Sequence, residues 1–271
     1  MITIKNIRIV EKTQTSRLQA DISCPEFENT IWYEVNLENA KYFTYELADC
    51  FVVPFLPLAI KNNWNIVVEE TPVSAKLLFN INNFLIPSLN GKCQVIAQPI
   101  ELDLGTNRKN GSGMSCGVDS FYTLYQCYFQ NEIESLKMNS LTFLNVGAHD
   151  AKTNKEAREL FLERSKKSQK VAEELEFDFL LGDSNIHEIL KESFVTIHSY
   201  RNIGFILALQ KKYQRYYYSS GHSIYEFNIL GIGPAYYDVF LLPNLPTENT
   251  TFISTGCVEK RIEKIEKIAD Y

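Results

Sequence analysis

From about residue 110 onward, short apolar runs alternate with longer stretches of helical spacing, and this alternation constrains the fold more than any other feature of the chain. The runs end at Met114–Ser115 and recur as "LTFLNVG" (141–147), "FDFLLGD" (177–183), "RYYYSSG" (215–221) and "TFISTG" (251–256). Helix-like segments lie between them at 119–130, 154–175 and 202–213. Strands that are apolar nearly throughout are buried on both faces, and parallel strands need crossovers. The pattern therefore predicts an α/β fold, a doubly wound parallel five-stranded sheet with helices on both faces. In such sheets ligands bind beyond the carboxyl ends of the strands, where the strand order reverses. That rule singles out Ser115 to Ser120, Gly147 to His149 and Ser219 to His222.

The first hundred residues read differently. Segments 2–10, 17–23 and 29–36 alternate apolar and polar residues, as half-buried strands do. "AKYFTYELADCFVVPFLPLAIKN" has helical spacing that Pro54 ends or kinks, and "NIVVEE" reads as a strand. "VSAKLLFNINNFLIPSLN" then reads as a helix and "CQVIAQPIEL" as a strand. This predicts a small α+β module over 1–105 ahead of an α/β domain over 106–271, with "GTNRKNGSG" (105–113) as the loop between them. No motif identifies the module's role; its apolar helix at 41–60 suits substrate docking or homodimer formation.

Several function classes are disfavoured. The chain of 271 residues carries 27 Lys and Arg against 33 Asp and Glu, a net charge of −6, with no basic stripe for nucleic acid. Its longest apolar run, around Cys50 to Ile60, is too short for a bilayer and holds two prolines, so no membrane association is expected. "MITIKNIRIVEKTQ" lacks a signal-peptide core, and six cysteines form no CxxC pair. A cytoplasmic protein with free thiols is the expectation. "EKRIEKIEKIAD" reads as a solvated helix face.

The stretch "GSGMSCGVDSFYTLYQCYF" (111–129) sets small and hydroxyl residues directly before a helix. A tight strand-to-helix turn presents backbone N–H groups at the positive end of a helix dipole, which suits phosphate; it also needs small residues for purely structural reasons. Asp119 among them makes sense if Mg²⁺ bridges it to phosphate oxygens, or if it caps the helix. No Walker-type Lys follows the glycines, and Gly117 stands one place too late for a dinucleotide fingerprint.

Ser115-Cys116-Gly117-Val118-Asp119-Ser120 resembles the SGGxDS loop of the PP-loop ATP pyrophosphatases, and the resemblance runs from Gly111 to the end of the chain. "NVGAH" (145–149), "YRNIGFILALQ" (200–210) and "YYYSSGHS" (216–223) are similar, in the same order, to segments of 7-cyano-7-deazaguanine synthases. The resemblance implies a HUP-like fold, ATP and Mg²⁺ as cofactors, and cleavage between the α and β phosphates. An adenylated carboxylate or carbonyl would form, and an amine, ammonia or sulfur donor would displace AMP. It assigns Ser115, Cys116, Gly117, Val118, Asp119 and Ser120 to the pyrophosphate, and Asn145, Gly147, Asn202, Gly221 and His222 to the rest of the nucleotide. Asp119 becomes the metal ligand, with Asp119, Ser120, Arg201 and His149 as catalytic candidates. The expected substrate is a small molecule or modified-base precursor, with a peptide or protein acceptor left open.

Departures from the family pattern shape the alternatives. Cys116 replaces the first loop glycine, where a left-handed backbone would cost a side chain on the order of 1 kcal/mol. A thiol at a helix start also has its pKa lowered. The synthases carry a C-terminal cysteine cluster for zinc, whereas only Cys257 lies near the end here, so zinc is not supported. A nucleotide-binding sensor or partner subunit without turnover is therefore the first alternative, and a tRNA-thiolating enzyme a further one. His149 and His222 fall at strand ends facing the cleft, His198 is a third candidate near Arg201, and His187 reads as a surface helix residue.

Overall fold

The computed structural model describes residues 1–149 and 153–269. Three strands, β1 (Ile2–Glu11), β2 (Thr15–Cys24) and β3 (Phe27–Asn36), form an antiparallel meander with Ile4 opposite Ile22 and Leu18 opposite Tyr33. The period of two carries Ile2, Ile4, Leu18, Ala20, Ile22, Ile31 and Tyr33 to one fully buried face. The chain then runs through two short helices, α1 (Asp49–Val52) and α2 (Leu56–Asn62), separated by a 3-10 turn at Pro54. Proline offers no N–H to continue the ladder, and the helical run expected over 41–60 breaks at Pro54, as its sequence implies. β4 (Ile66–Val68) lies parallel to β1.

β5 (Val73–Ser74) leads into α3 (Ala75–Asn80), capped by Ser74, and a π-helical turn joins this to α4 (Ile86–Ser88). The expected strand "CQVIAQPIEL" divides in two. β6 (Val95–Ile96) pairs with β4, while β7 (Pro99–Ile100) pairs with β5 in a separate ribbon.

In the second half, β8 (Lys109–Gly113), β9 (Ser140–Leu144), β10 (Asp178–Ser184), β11 (Tyr213–Ser219) and β12 (Thr251–Thr255) are parallel, in the order β12-β11-β8-β9-β10. The chain builds outward from β8 to β10, then crosses back to add β11 and β12 on the other side. Helices α5 (Val118–Leu124), α6 (Asn154–Glu174), α7 (Ile186–Ile189), α8 (Phe194–Leu207), α9 (Asp238–Leu241) and α10 (Arg261–Ile268) complete this half. α8 begins at Phe194 rather than at Asn202.

The sheet does not stop at five strands. β10 pairs antiparallel with β3, through Asp183 opposite Glu34 and Ser184 opposite Tyr33, giving one ten-stranded, mostly parallel sheet. Asn185 prolongs that junction: its amide donates to the Thr30 carbonyl at 2.8 Å and its Oδ1 accepts from the Trp32 N–H at 2.8 Å.

β8 corrects a second expectation, since its sequence KNGSG was assigned to a loop. A Cβ on Gly111 would stand 2.6 Å from the Tyr213 ring, so glycine is required by close packing rather than by a turn.

The hydrophobic core takes side chains from both halves. Tyr33 packs edge-on against Phe205 at 4.9 Å and donates its hydroxyl proton to the Cys50 carbonyl. α8 passes so close to Pro54 that a Cβ on Gly204 would lie 2.4 Å from the Pro54 Cγ. Asp49, fully buried, accepts from the Ser74 N–H and from the Gln210 side chain, and burial pushes its pKa up to about 7.

Candidate functional site

Beyond the carboxyl ends of β8, β9 and β11 lies a cavity of about 400 Å³. It sits where the crossover reverses direction, the position at which doubly wound sheets bind ligands. Gly113 borders it from β8 with Met114 and Ser115 just after that strand, Thr142 to Leu144 from β9, and Tyr216, Tyr218 and Ser219 from β11. α8 contributes Phe194, His198 and Asn202; the turns contribute His149, Gly221 and His222.

The loop from Ser115 to Ser120 is held by its own hydroxyls. Ser120 donates to the Gly117 carbonyl at 2.9 Å, and Ser115 Oγ accepts from the Gly117 N–H and meets Ser120 Oγ, both at 3.3 Å. Gly117 precedes α5, and a π-helical segment, Tyr125–Phe129, continues that helix. The first N–H groups of a helix have no partner within it.

Cys116 has φ +58°, so its Cβ occupies the left-handed region that glycine adopts freely. Its thiol lies 3.8 Å from the Ser168 hydroxyl on α6 and packs on the small cluster around Met114 and Leu141. The side chain is thereby directed at α6. Val118 and Gly117 belong to the loop backbone and, like Cys116, do not border the cavity.

Asp119 borders the cavity, and its Oδ1 accepts from the Lys264 ammonium at 2.8 Å. Lys264 arrives from α10 with its side chain only 2% exposed, and donates also to the Ser220 carbonyl at 2.7 Å. Sequence reasoning read this lysine as part of a solvated face. The apolar residues misled it: Ile262 and Ile265 point outward while Lys264 points in. Spacing alone carries no signal for that inversion.

His149 is buried against Phe143 and Phe161. Arg164 Nη1 lies 3.3 Å from its Nδ1; arginine can only donate, so the ring proton resides on Nε2. Burial, with Arg164 beside it, lowers its pKa to about 4, which keeps the ring neutral at physiological pH. His198, its Nδ1 3.0 Å from the Tyr218 hydroxyl, is likewise lowered by burial to about 4. His222 stacks on Tyr236 at 4.1 Å, with its Nδ1 3.6 Å from Glu226. Asn202 donates to the His198 carbonyl at 2.9 Å.

Three further expected residues lie away from the cavity lining. Arg201 is 1% exposed, and its guanidinium donates to the carbonyls of Val146, Leu190 and Glu192. Burial lowers its pKa to about 10. Asn145 donates to Asp183 at 2.7 Å. Gly147 has φ +102°, and a Cβ there would meet the His187 Cβ at 2.6 Å and the Arg201 Nη1 at 2.9 Å. These three shape the turn after β9 from behind. His187 is no surface residue: its Nδ1 is buried without a partner, and burial lowers its pKa.

Asp238 is the cavity residue that sequence reasoning missed. It is 2% exposed, Ser254 donates to its Oδ1 at 3.2 Å, and burial pushes its pKa up to about 6. A lone Asp in "AYYDVF" bears no motif that could have flagged it.

Among the described residues no group of three or more His, Cys, Asp or Glu is placed to hold a metal ion, and no helix is long and apolar enough to cross a membrane. No family model, curated protein or solved structure matches the chain.

Proposed function

We propose that the chain binds ATP in this cavity and forms AMP and pyrophosphate, adenylating a carboxylate or carbonyl that a nitrogen or sulfur nucleophile then attacks. The observation that carries the reading is the convergence of Ser115, Asp119 and Ser120 on a nucleotide-sized cavity at the switch point of five parallel strands. The strand order suits a HUP-like nucleotide-binding half, with the antiparallel strands as an extension of its edge. ATP, when bound, supplies the activating phosphoanhydride. The amides from Gly117 to Ser120 and the hydroxyls of Ser115 and Ser120 would stabilise charge developing on the leaving pyrophosphate.

The residues fit Mg²⁺ in part. Asp119 supplies one carboxylate beside the loop, the usual complement for magnesium shared with phosphate, but one of its oxygens already takes Lys264. His149, neutral with Nε2–H as its donor, would orient substrate rather than accept a proton at that atom. Asn202, Gly221 and His222 would flank the nucleotide or the acyl group. Arg201, Asn145 and Gly147 would support the turn that carries His149. The proposed setting is the cytoplasm, with a small-molecule substrate and a homodimer as the assembly to test.

The Lys264–Asp119 pair favours a second reading, a nucleotide-binding subunit without turnover, because an ammonium already neutralises the carboxylate expected to hold the metal. Pyrophosphate release separates the two. Release with ATP, Mg²⁺ and a panel of carboxylates with ammonia supports the enzyme, while nucleotide binding without release across the panel supports the subunit.

A further inference from the structure

The wall formed by α8, α9 and the 219–222 turn holds a group that the nucleotide reading does not use. Asp238 Oδ2 is buried and has no hydrogen-bond partner, although Asp238 lines the cavity. A neighbouring hydroxyl does not relieve it, since Ser220 Oγ donates its single proton to the His222 carbonyl at 2.9 Å. Lys264, whose ammonium reaches the Ser220 carbonyl, is engaged by Asp119. Leaving a carboxylate oxygen buried and unpaired is costly, and at a cavity wall a bound cationic group relieves that cost.

We propose that Asp238 anchors a protonated amine of a ligand at this end of the cavity. An ammonium supplies both the positive charge and the N–H donors that Oδ2 lacks. The surrounding surface suits such a cation: Phe194, Tyr216, Tyr218, His198 and His222 present rings around it. A divalent metal fits less well, because it requires several oxygen or imidazole ligands converging on one point. The described residues contain no such group of three. The site is independent of whether a nucleotide occupies the loop from Ser115 to Ser120.

The test uses the whole chain without nucleotide. Thermal unfolding at neutral pH is followed with ethylammonium at tens of millimolar, with tetramethylammonium and potassium at equal ionic strength as cations lacking N–H donors. Ethylammonium is expected to raise the Tm of the wild type by about 2 °C or more, and to leave Asp238→Asn unmoved. The Asn variant alone should be at least as stable as the wild type, because it removes an unpaired buried charge while keeping the shape. Equal shifts in both proteins would overturn the proposal, as would an Asp238-dependent shift with Mg²⁺ in place of ethylammonium. An Asn variant that is less stable than the wild type, or fails to fold, would assign Asp238 a structural role and overturn it too.

Discussion

The ion pair between Asp119 and Lys264 predicts an asymmetric pair of variants. Lys264 is 2% exposed and Asp119 is 23% exposed, so the two charges depend on each other unequally. Asp119→Asn strands a buried ammonium that keeps only the Ser220 carbonyl and the face of Tyr122, 5.9 Å away. Breaking a fully buried pair from one side costs about 3–5 kcal/mol, and an exposed pair about 0–1 kcal/mol. The partial exposure of Asp119 places this substitution at about 2–3 kcal/mol. At about 2–4 °C per kcal/mol for a chain near this size, Tm should fall by about 5–10 °C.

Lys264→Met keeps most of the apolar stem and leaves a carboxylate that cavity water can solvate, so it should cost only about 1 kcal/mol. The double variant should resemble Lys264→Met alone, with a coupling of about 2–3 kcal/mol. Denaturant and thermal unfolding of the four proteins measure the cycle. Additivity within about 0.5 kcal/mol would refute the argument. So would a Lys264 variant less stable than the Asp119 one. The same cycle warns that lost nucleotide binding in an Asp119 variant must be read beside its stability.

Two further outcomes follow from the buried groups. The pKa of Asp238 is raised to about 6 and that of Asp49 to about 7, so the folded chain holds their protons more tightly than the unfolded one. Their contribution is fully favourable below pH 4 and is lost as pH rises through 6 to 7. His149 and His198 are lowered from 6.5 to about 4 and act oppositely, removing stability as pH falls through that window. Unfolding free energies measured across the window should therefore show Asp238→Asn gaining on the wild type as pH rises from 4 to 6. His149→Gln should show a shallower acid loss; parallel curves for either variant would contradict the assignment. Gly147→Ala combines a φ of +102° with a 2.6 Å approach to His187, and should cost about 3 kcal/mol or more in denaturant unfolding. A loss below about 1 kcal/mol would mean the turn after β9 relaxes freely.

Much of the fold was legible because it rests on local periodicity. Ile2, Ile4, Leu18, Ala20 and Ile22 alternate as a one-sided sheet demands, and the apolar runs become the parallel strands β9 to β12, of which β9 is buried throughout while the edge strand β12 leaves Thr251 and Ile253 exposed. What escaped depends on contacts between distant residues. The pairing of Asp183 and Ser184 with Glu34 and Tyr33 joins segments about 150 residues apart, and nothing local to either strand names its neighbour. β8 reads as a turn because the rings of Tyr213 and Tyr216, far along the chain, require bare backbone beside them. At the candidate site, the hydroxyls and Asp119 stood out by composition. Lys264 and Asp238 did not, since a charged residue in a charged helix and a lone aspartate acquire meaning only through burial.

Calorimetric titration of the chain with ATP and Mg²⁺, beside Ser115→Ala and Ser120→Ala, tests the central claim most directly. The two hydroxyls border the cavity, and neither substitution leaves a buried charge unpaired. The account predicts saturable binding to the wild type that weakens at least tenfold in each variant, about 1.4 kcal/mol or more per hydroxyl. Absence of binding to the intact chain, or equal affinity in all three proteins, would contradict the assignment of the nucleotide to this loop.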